Sequence, residues 1–189
     1  MTVLIKQVRL ISPSSPFNGQ TKDILITDGI ISSISDTISE KADQVIEENN
    51  LHVSIGWMDI FADFAEPGNE YRETLESGAN AAAAGGFTDV MVMPNTSPVI
   101  SSKAQIEFLK QRSQMLSVNV HPIGSVTKNT EGNELSEMYD MHAGGAAAFS
   151  DGKNSLQQAG VLLTTMQYTL ANNAVIIQLQ EHISINEES

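Results

Sequence analysis

The hydrophobic pattern changes character near residue 55. Before it, short β-branched runs recur at Thr2–Lys6, Val8–Ile11, Asp23–Thr27 and Ile30–Ile34, with further candidates at Val45-Ile46 and Leu51–Val53. Such runs between turn residues predict strands. Pro13, Pro16, Asn18 and Gly19 separate the second run from the third, and Asp28-Gly29 is a two-residue hairpin signal. Residues 1–55 are thus expected to form a small antiparallel sheet module.

From Trp57 the pattern alternates between strand-like and helix-like stretches. Trp57–Phe64 is almost continuously apolar and stops at Glu66-Pro67-Gly68. Proline ends a ladder and glycine permits the turn, while continuous hydrophobicity predicts a strand buried on both faces in a helix-covered parallel sheet. A helix is expected over Glu70–Ala84 with Gly85-Gly86 at its end, then a strand over Phe87–Met93 stopped by Pro94-Asn95-Thr96. Ser101 or Ser102 can cap a helix carrying Ile106, Leu109 and Met115. Val118–Ile123 and Ala146–Phe149 read as strands, Asn133–Met141 as a short helix. Ser155–Ala171 reads as an amphipathic helix with Leu156, Ala159, Leu162, Leu163, Met166 and Leu170 as its stripe, and Val175–Leu179 as a fifth strand.

Regular β-α alternation implies a parallel sheet with right-handed crossovers. The expected architecture is α/β: a β module over 1–55, then five strands and four helices over 56–189. A closed eight-stranded barrel takes about 250 residues, so the second part is an open doubly wound sheet or the front of a barrel. No dinucleotide fingerprint or phosphate loop follows any strand, which argues against a nucleotide-binding fold.

Composition narrows the function classes. Hydrophobic residues at 41% suffice for a core, and the absence of cysteine removes disulfides, thiolate metal sites and a thiol nucleophile. A net charge of −13 argues against nucleic acid. Neither a signal peptide nor a membrane span is evident, so a cytoplasmic protein is expected. His52, His121 and His142 have no partner histidine at ligand spacing.

Several stretches match a known family in order: Gly56-Trp-Met-Asp59, Glu66-Pro-Gly68, Glu73–Gly78, Ala84-Gly-Gly-Phe-Thr88, Met93–Pro98 and Ala148-Phe-Ser-Asp151. The chain resembles the cyclic amidohydrolases, and among them the class I dihydroorotases, whose members are longer and whose N-terminal half it matches. The resemblance implies a β-sandwich module over 1–55 and a partial TIM-type (β/α)8 barrel over 56–189. It also implies a zinc-dependent hydrolase of a cyclic amide in pyrimidine biosynthesis.

The resemblance breaks at the chemistry. The family's first barrel strand ends in His-x-His, and the matching positions are Phe61 and Asp63. The family's arginine that clamps the substrate carboxylate falls at Ala65, and a later zinc histidine at Leu179, with His182 three residues on. Phenylalanine offers zinc no lone pair, and alanine offers a carboxylate no donor. What survives is Asn95, matching a substrate contact, and Asp151, matching a metal-site carboxylate. Asp63 and Asp151 are the remaining metal candidates, and Lys153 invites comparison with a carboxylated bridging lysine. As plain sequence, Pro94-Asn95-Thr96 and Asp151-Gly152 are also ordinary turns.

The reading is a catalytically inactive dihydroorotase-like protein without zinc, with an assembly role alongside aspartate transcarbamoylase. A homo-oligomer or a chain supplying the missing half is expected to cover its unpaired sheet edge. The alternatives are an active amidohydrolase with a reduced metal site containing Asp63 and Asp151, and an unrelated α/β domain that binds a small molecule.

Overall fold

The computed structural model describes residues 1–179 and residue 181. The chain divides into two compact units at Ile55/Gly56.

The first unit is a single five-stranded sheet: β1 (Thr2–Ile11), β2 (Thr21–Thr27), β3 (Ile30–Ser35), β4 (Gln44–Ile46) and β5 (His52–Ser54). The two runs read at its start are one strand, interrupted by a bulge at Gln7, whose φ is +48°. The Asp28-Gly29 hairpin forms as read, with both residues in the left-handed region. The expectation of an antiparallel module is corrected. β1 pairs antiparallel with β2 but parallel with both β4 and β5, because the chain returns to β1 by crossovers rather than hairpins. Among the described residues this unit holds one sheet.

The second unit alternates strand and helix: β6 (Trp57–Ala62), α1 (Leu75–Ala84), β7 (Phe87–Val92), α2 (Lys103–Arg112), β8 (Asn119–Gly124), α3 (Met138–Gly144), β9 (Ala148–Phe149) and α4 (Ala159–Ala171). Its four strands run parallel in the order β6-β7-β8-β9. The expected fifth strand is reduced to a single parallel bridge between Phe149 and Ile176. Val90, Val92 and Val120 pack with Leu75, Ile106, Leu109 and Met141 from the helices. The alternate positions Met91, Ile123 and Ala148 form a layer with Phe61 and Ile177 on the other face. This is half of a barrel: one face under helices, the other turned to the barrel interior.

Helix boundaries moved where a polar side chain had a better partner than a helix turn. The first helix begins at Leu75 rather than Glu70, because Thr74 and Ser77 form a reciprocal capping box at 3.0 and 2.9 Å. Thr74→Ala is expected to lower stability by about 1 kcal/mol in urea titration. The third helix begins at Met138 rather than Asn133. Residues before it pair instead with the loop after β8, through Ser136 N–H to Val126 O (2.9 Å) and a Thr127–Leu135 bridge. Met115 lies beyond α2 and is 94% exposed.

Two burial expectations are also corrected. Trp57, Met58 and Ile60 are exposed, because β6 is an edge strand with β7 as its one neighbour among the described residues. On α4, Leu163, Met166 and Leu170 are exposed while Thr165 and Thr169 are buried. Both threonine hydroxyls donate back within the helix, to Val161 O (2.8 Å) and Thr165 O (3.0 Å). That satisfies the buried oxygens, so the threonine face can go inward.

Candidate functional site

In a parallel barrel the strand ends at the carboxyl side collect the chemistry, and here the four ends share one polar network. Asp63 follows β6, Asn95 follows β7, Val126 and Thr127 follow β8, and Asp151 to Lys153 follow β9.

Asp63 accepts from the Lys153 ammonium, and from Arg72 Nη2 at 3.2 Å, on the same oxygen, Oδ2. Partial burial works to raise the Asp63 pKa, and the Lys153 ammonium, joined by Arg72, outweighs it, so the carboxyl sits below its ordinary range. Lys153 is anchored at its backbone, whose N–H donates to Asn95 Oδ1 (3.1 Å). The Asn95 amide in turn donates to the carbonyl of Asp151 (3.1 Å). Asn95 therefore bridges the loop that it faces. The approach is close because Gly152, at φ +61°, leaves room where a Cβ would meet Asn95 Oδ1 at 1.6 Å.

Asp151 is buried at 1% exposure, and its carboxylate is occupied. Oδ1 accepts from the Val126 and Thr127 amides (2.9 and 2.8 Å), and Oδ2 accepts from the Thr127 hydroxyl. Burial pushes its pKa up, and those three donors pull it back without cancelling the effect. The residue ties the loop after β9 to the loop after β8.

Phe61 lies in the apolar interior layer with Met91, Ile123, Ala148 and Ile177. Ala65 is buried, and Leu179 is partly exposed beyond the Ile176 bridge. The structure thus joins Asp63, Lys153, Asn95 and Asp151, and keeps Phe61 apart from them in an apolar setting. Among the described residues, no group of three or more His, Asp or Glu side chains converges as a metal-binding cluster. His52 contacts Asn50 O (2.8 Å) and His121 contacts Asp89 Oδ1 (2.7 Å); His182 lies outside the described residues.

Sequence reasoning missed Arg72 and Thr127. Arg72 was absorbed into an expected helix, although it stands among only three arginines in the chain. Thr127 carried no signal, since its role depends on Asp151 arriving from another strand. The Glu66-Pro67-Gly68 stop has structural work of its own. Glu66 Oε2 accepts from the Leu75 amide at the start of α1 (2.8 Å), where a carboxylate also complements the helix dipole.

Residues 52–189 match the family model described as Dihydro-orotase-like. The chain belongs to the dihydroorotase-like family. The dihydroorotases of Pelotomaculum thermopropionicum and Bacillus cytotoxicus are each 38% identical to it, over 177 and 167 residues. These matches cover 94% and 87% of this chain but 41% and 39% of the relatives, so the chain spans about four tenths of their length. Among solved structures, the L-hydantoinase (dihydropyrimidinase) of Arthrobacter aurescens superposes with a TM-score of 0.78 at 26% identity, over 97% of this chain and 41% of that one. A crystallised dihydroorotase shares the fold at 11% identity, with a TM-score of 0.66 over 93% of this chain and 50% of its own. Family membership overturns the reading of an unrelated α/β domain and makes the half-barrel part of an amidohydrolase fold. Among the described residues no helix is long and apolar enough to cross a membrane.

Proposed function

We propose that this chain is a dihydroorotase-like protein of pyrimidine biosynthesis, cytoplasmic, that has lost zinc chemistry and serves an assembly or structural role alongside aspartate transcarbamoylase. The observation that carries the reading is the Lys153 ammonium seated on Asp63. Zinc catalysis needs imidazoles or carboxylates with free lone pairs around an open position. Of the candidate ligand positions, Phe61 contributes to an apolar layer, the reactive oxygen of Asp63 holds two cations, and Asp151 is saturated by Val126 and Thr127. The residues present do not fit the ion. The alternative, an active amidohydrolase with a reduced site, requires Asp63 and Asp151 to give up these partners, which is the main argument against it.

The test is metal analysis after incubation with zinc, together with dihydroorotate hydrolysis. Clearly substoichiometric zinc and turnover no faster than buffer are expected. Stoichiometric zinc accompanied by turnover would sink the proposal.

The assembly role is supported by an apolar groove of about 470 Å³ lined by Leu162, Met166, Leu170 and Ile176 beside the last bridge. Exposed apolar surface of this kind at a sheet edge favours association. Co-elution with aspartate transcarbamoylase on a sizing column is expected, or self-association by light scattering if that partner is absent. A monomer that ignores the transcarbamoylase would count against the role.

A further inference from the structure

The chain carries 10 lysines and arginines against 23 aspartates and glutamates, yet two of the cations converge on one carboxylate oxygen. Lys153 and Arg72 both donate to Asp63 Oδ2, so the local sum of these three groups is +1 − 1 + 1 = +1 in a chain of net −13. Glu66, the next acid along, is turned away to the Leu75 amide and Arg112 Nε (3.4 Å). Both cations remain about half exposed, at 53% and 48% of their side chains. An ammonium has three donors and a guanidinium five; among the hydrogen bonds of the described residues, each spends one side-chain donor on Asp63.

Neither side chain hangs from a loose loop. Lys153 is held through its backbone by Asn95, and Arg72 by a turn in which its amide donates to Asn69 O (2.9 Å). Both therefore present spare donors from the loops that follow β6 and β9. A planar fork beside a point charge suits a small anion with two or more oxygens.

We propose that Arg72 and Lys153 form a binding site for a small dianion, a dicarboxylate or a phosphate, with Asp63 as the built-in competitor that the ligand must share the cations with. This goes beyond the proposed loss of zinc chemistry and does not depend on it: the site is read by binding, not by turnover.

The competitor makes a signed prediction that a merely structural ion pair does not. The ¹⁵N-labelled full chain is titrated with inorganic phosphate and, separately, with succinate, at constant ionic strength. Amide shifts of Arg72, Gly152 and Lys153 are followed. Saturable shifts with a Kd of about 1–30 mM are expected for at least one anion, the range open to charge-assisted hydrogen bonds from a guanidinium fork and an ammonium. Saturation by phosphate alone would assign the phosphate class, and by succinate alone the dicarboxylate class. Asp63→Asn should tighten binding by about tenfold, since it frees both cations, while Arg72→Gln and Lys153→Gln should each weaken it by about fivefold or more. Non-saturable shifts with both anions would overturn the proposal. So would an Asp63→Asn protein that binds no more tightly, or an Arg72→Gln/Lys153→Gln double variant that binds as the parent does. All substitutions are at solvent-reached positions, and amide shifts of β7 and β8 residues report whether each variant keeps the fold.

Discussion

Replacing Asp151 by alanine is expected to cost roughly 3–5 kcal/mol, enough to unfold much of a marginally stable domain. The carboxylate takes three hydrogen bonds at once, from the Val126 and Thr127 amides and the Thr127 hydroxyl. Alanine leaves all three donors buried without an acceptor, and an unmade buried hydrogen bond costs far more than a made one contributes. Asparagine should be much milder. Its oxygen can keep both amides, and its amide can donate to a Thr127 hydroxyl that simply rotates. Urea unfolding of the two variants checks this. An alanine variant within about 1 kcal/mol of the parent would contradict the assigned role.

The same comparison carries a pH signature. Burial raises the Asp151 pKa in the folded protein above its unfolded value. The folded state then holds the proton more tightly, so this group favours folding at low pH, and that contribution is lost as pH rises through the folded pKa. Asparagine cannot titrate. Relative to Asp151→Asn, the parent should therefore lose stability as pH climbs above the ordinary aspartate range, which unfolding midpoints across a pH series would report.

The second large effect is expected at Gly68, where alanine should cost roughly 3–4 kcal/mol. Its φ is +96°, a backbone region that side chains rarely adopt, and an added Cβ would stand 1.9 Å from the carbonyl oxygen of Ser97. That neighbour is backbone, held by Ser97 N–H to Pro67 O at 3.0 Å, so it cannot swing aside as a side-chain tip would. Gly152→Ala is the instructive contrast. There the obstacle is the Asn95 side-chain oxygen, which can rotate away. The expected result is a smaller loss of stability but a broken Asn95 clamp, seen as shifted Lys153 and Asp63 resonances. Thermal unfolding of both variants should rank Gly68→Ala as the worse.

Much of this architecture was legible from residues near one another in the chain. The hairpin at Asp28-Gly29 follows from two residues that tolerate positive φ. The strands at Phe87–Val92 and Asn119–Gly124 follow from short apolar runs closed by turn residues. The motifs from Glu66-Pro67-Gly68 to Ala148–Asp151 pointed to the family to which the chain belongs. Phe61 and Ala65 could likewise be read as residues that offer neither a metal nor a carboxylate any partner, since that is a property of the side chain alone.

What the chain in order could not show was which polar groups meet. Lys153 lies 90 residues from Asp63, and Asn95 lies 58 from Lys153. Only parallel strands, which place all their carboxyl ends on one side, bring such distant loops into hydrogen-bond range. The direction of burial on α4 was misread in favour of its leucine stripe, because the stripe and the threonine face both repeat at helical spacing. Hydroxyls that satisfy themselves within the helix let the threonines turn inward. Residue types thus pointed to the family, and to side chains at Phe61 and Ala65 that cannot serve as ligands. Tertiary structure decided that Asp63 is held by Lys153 and Arg72, and that Asp151 is a strut between loops.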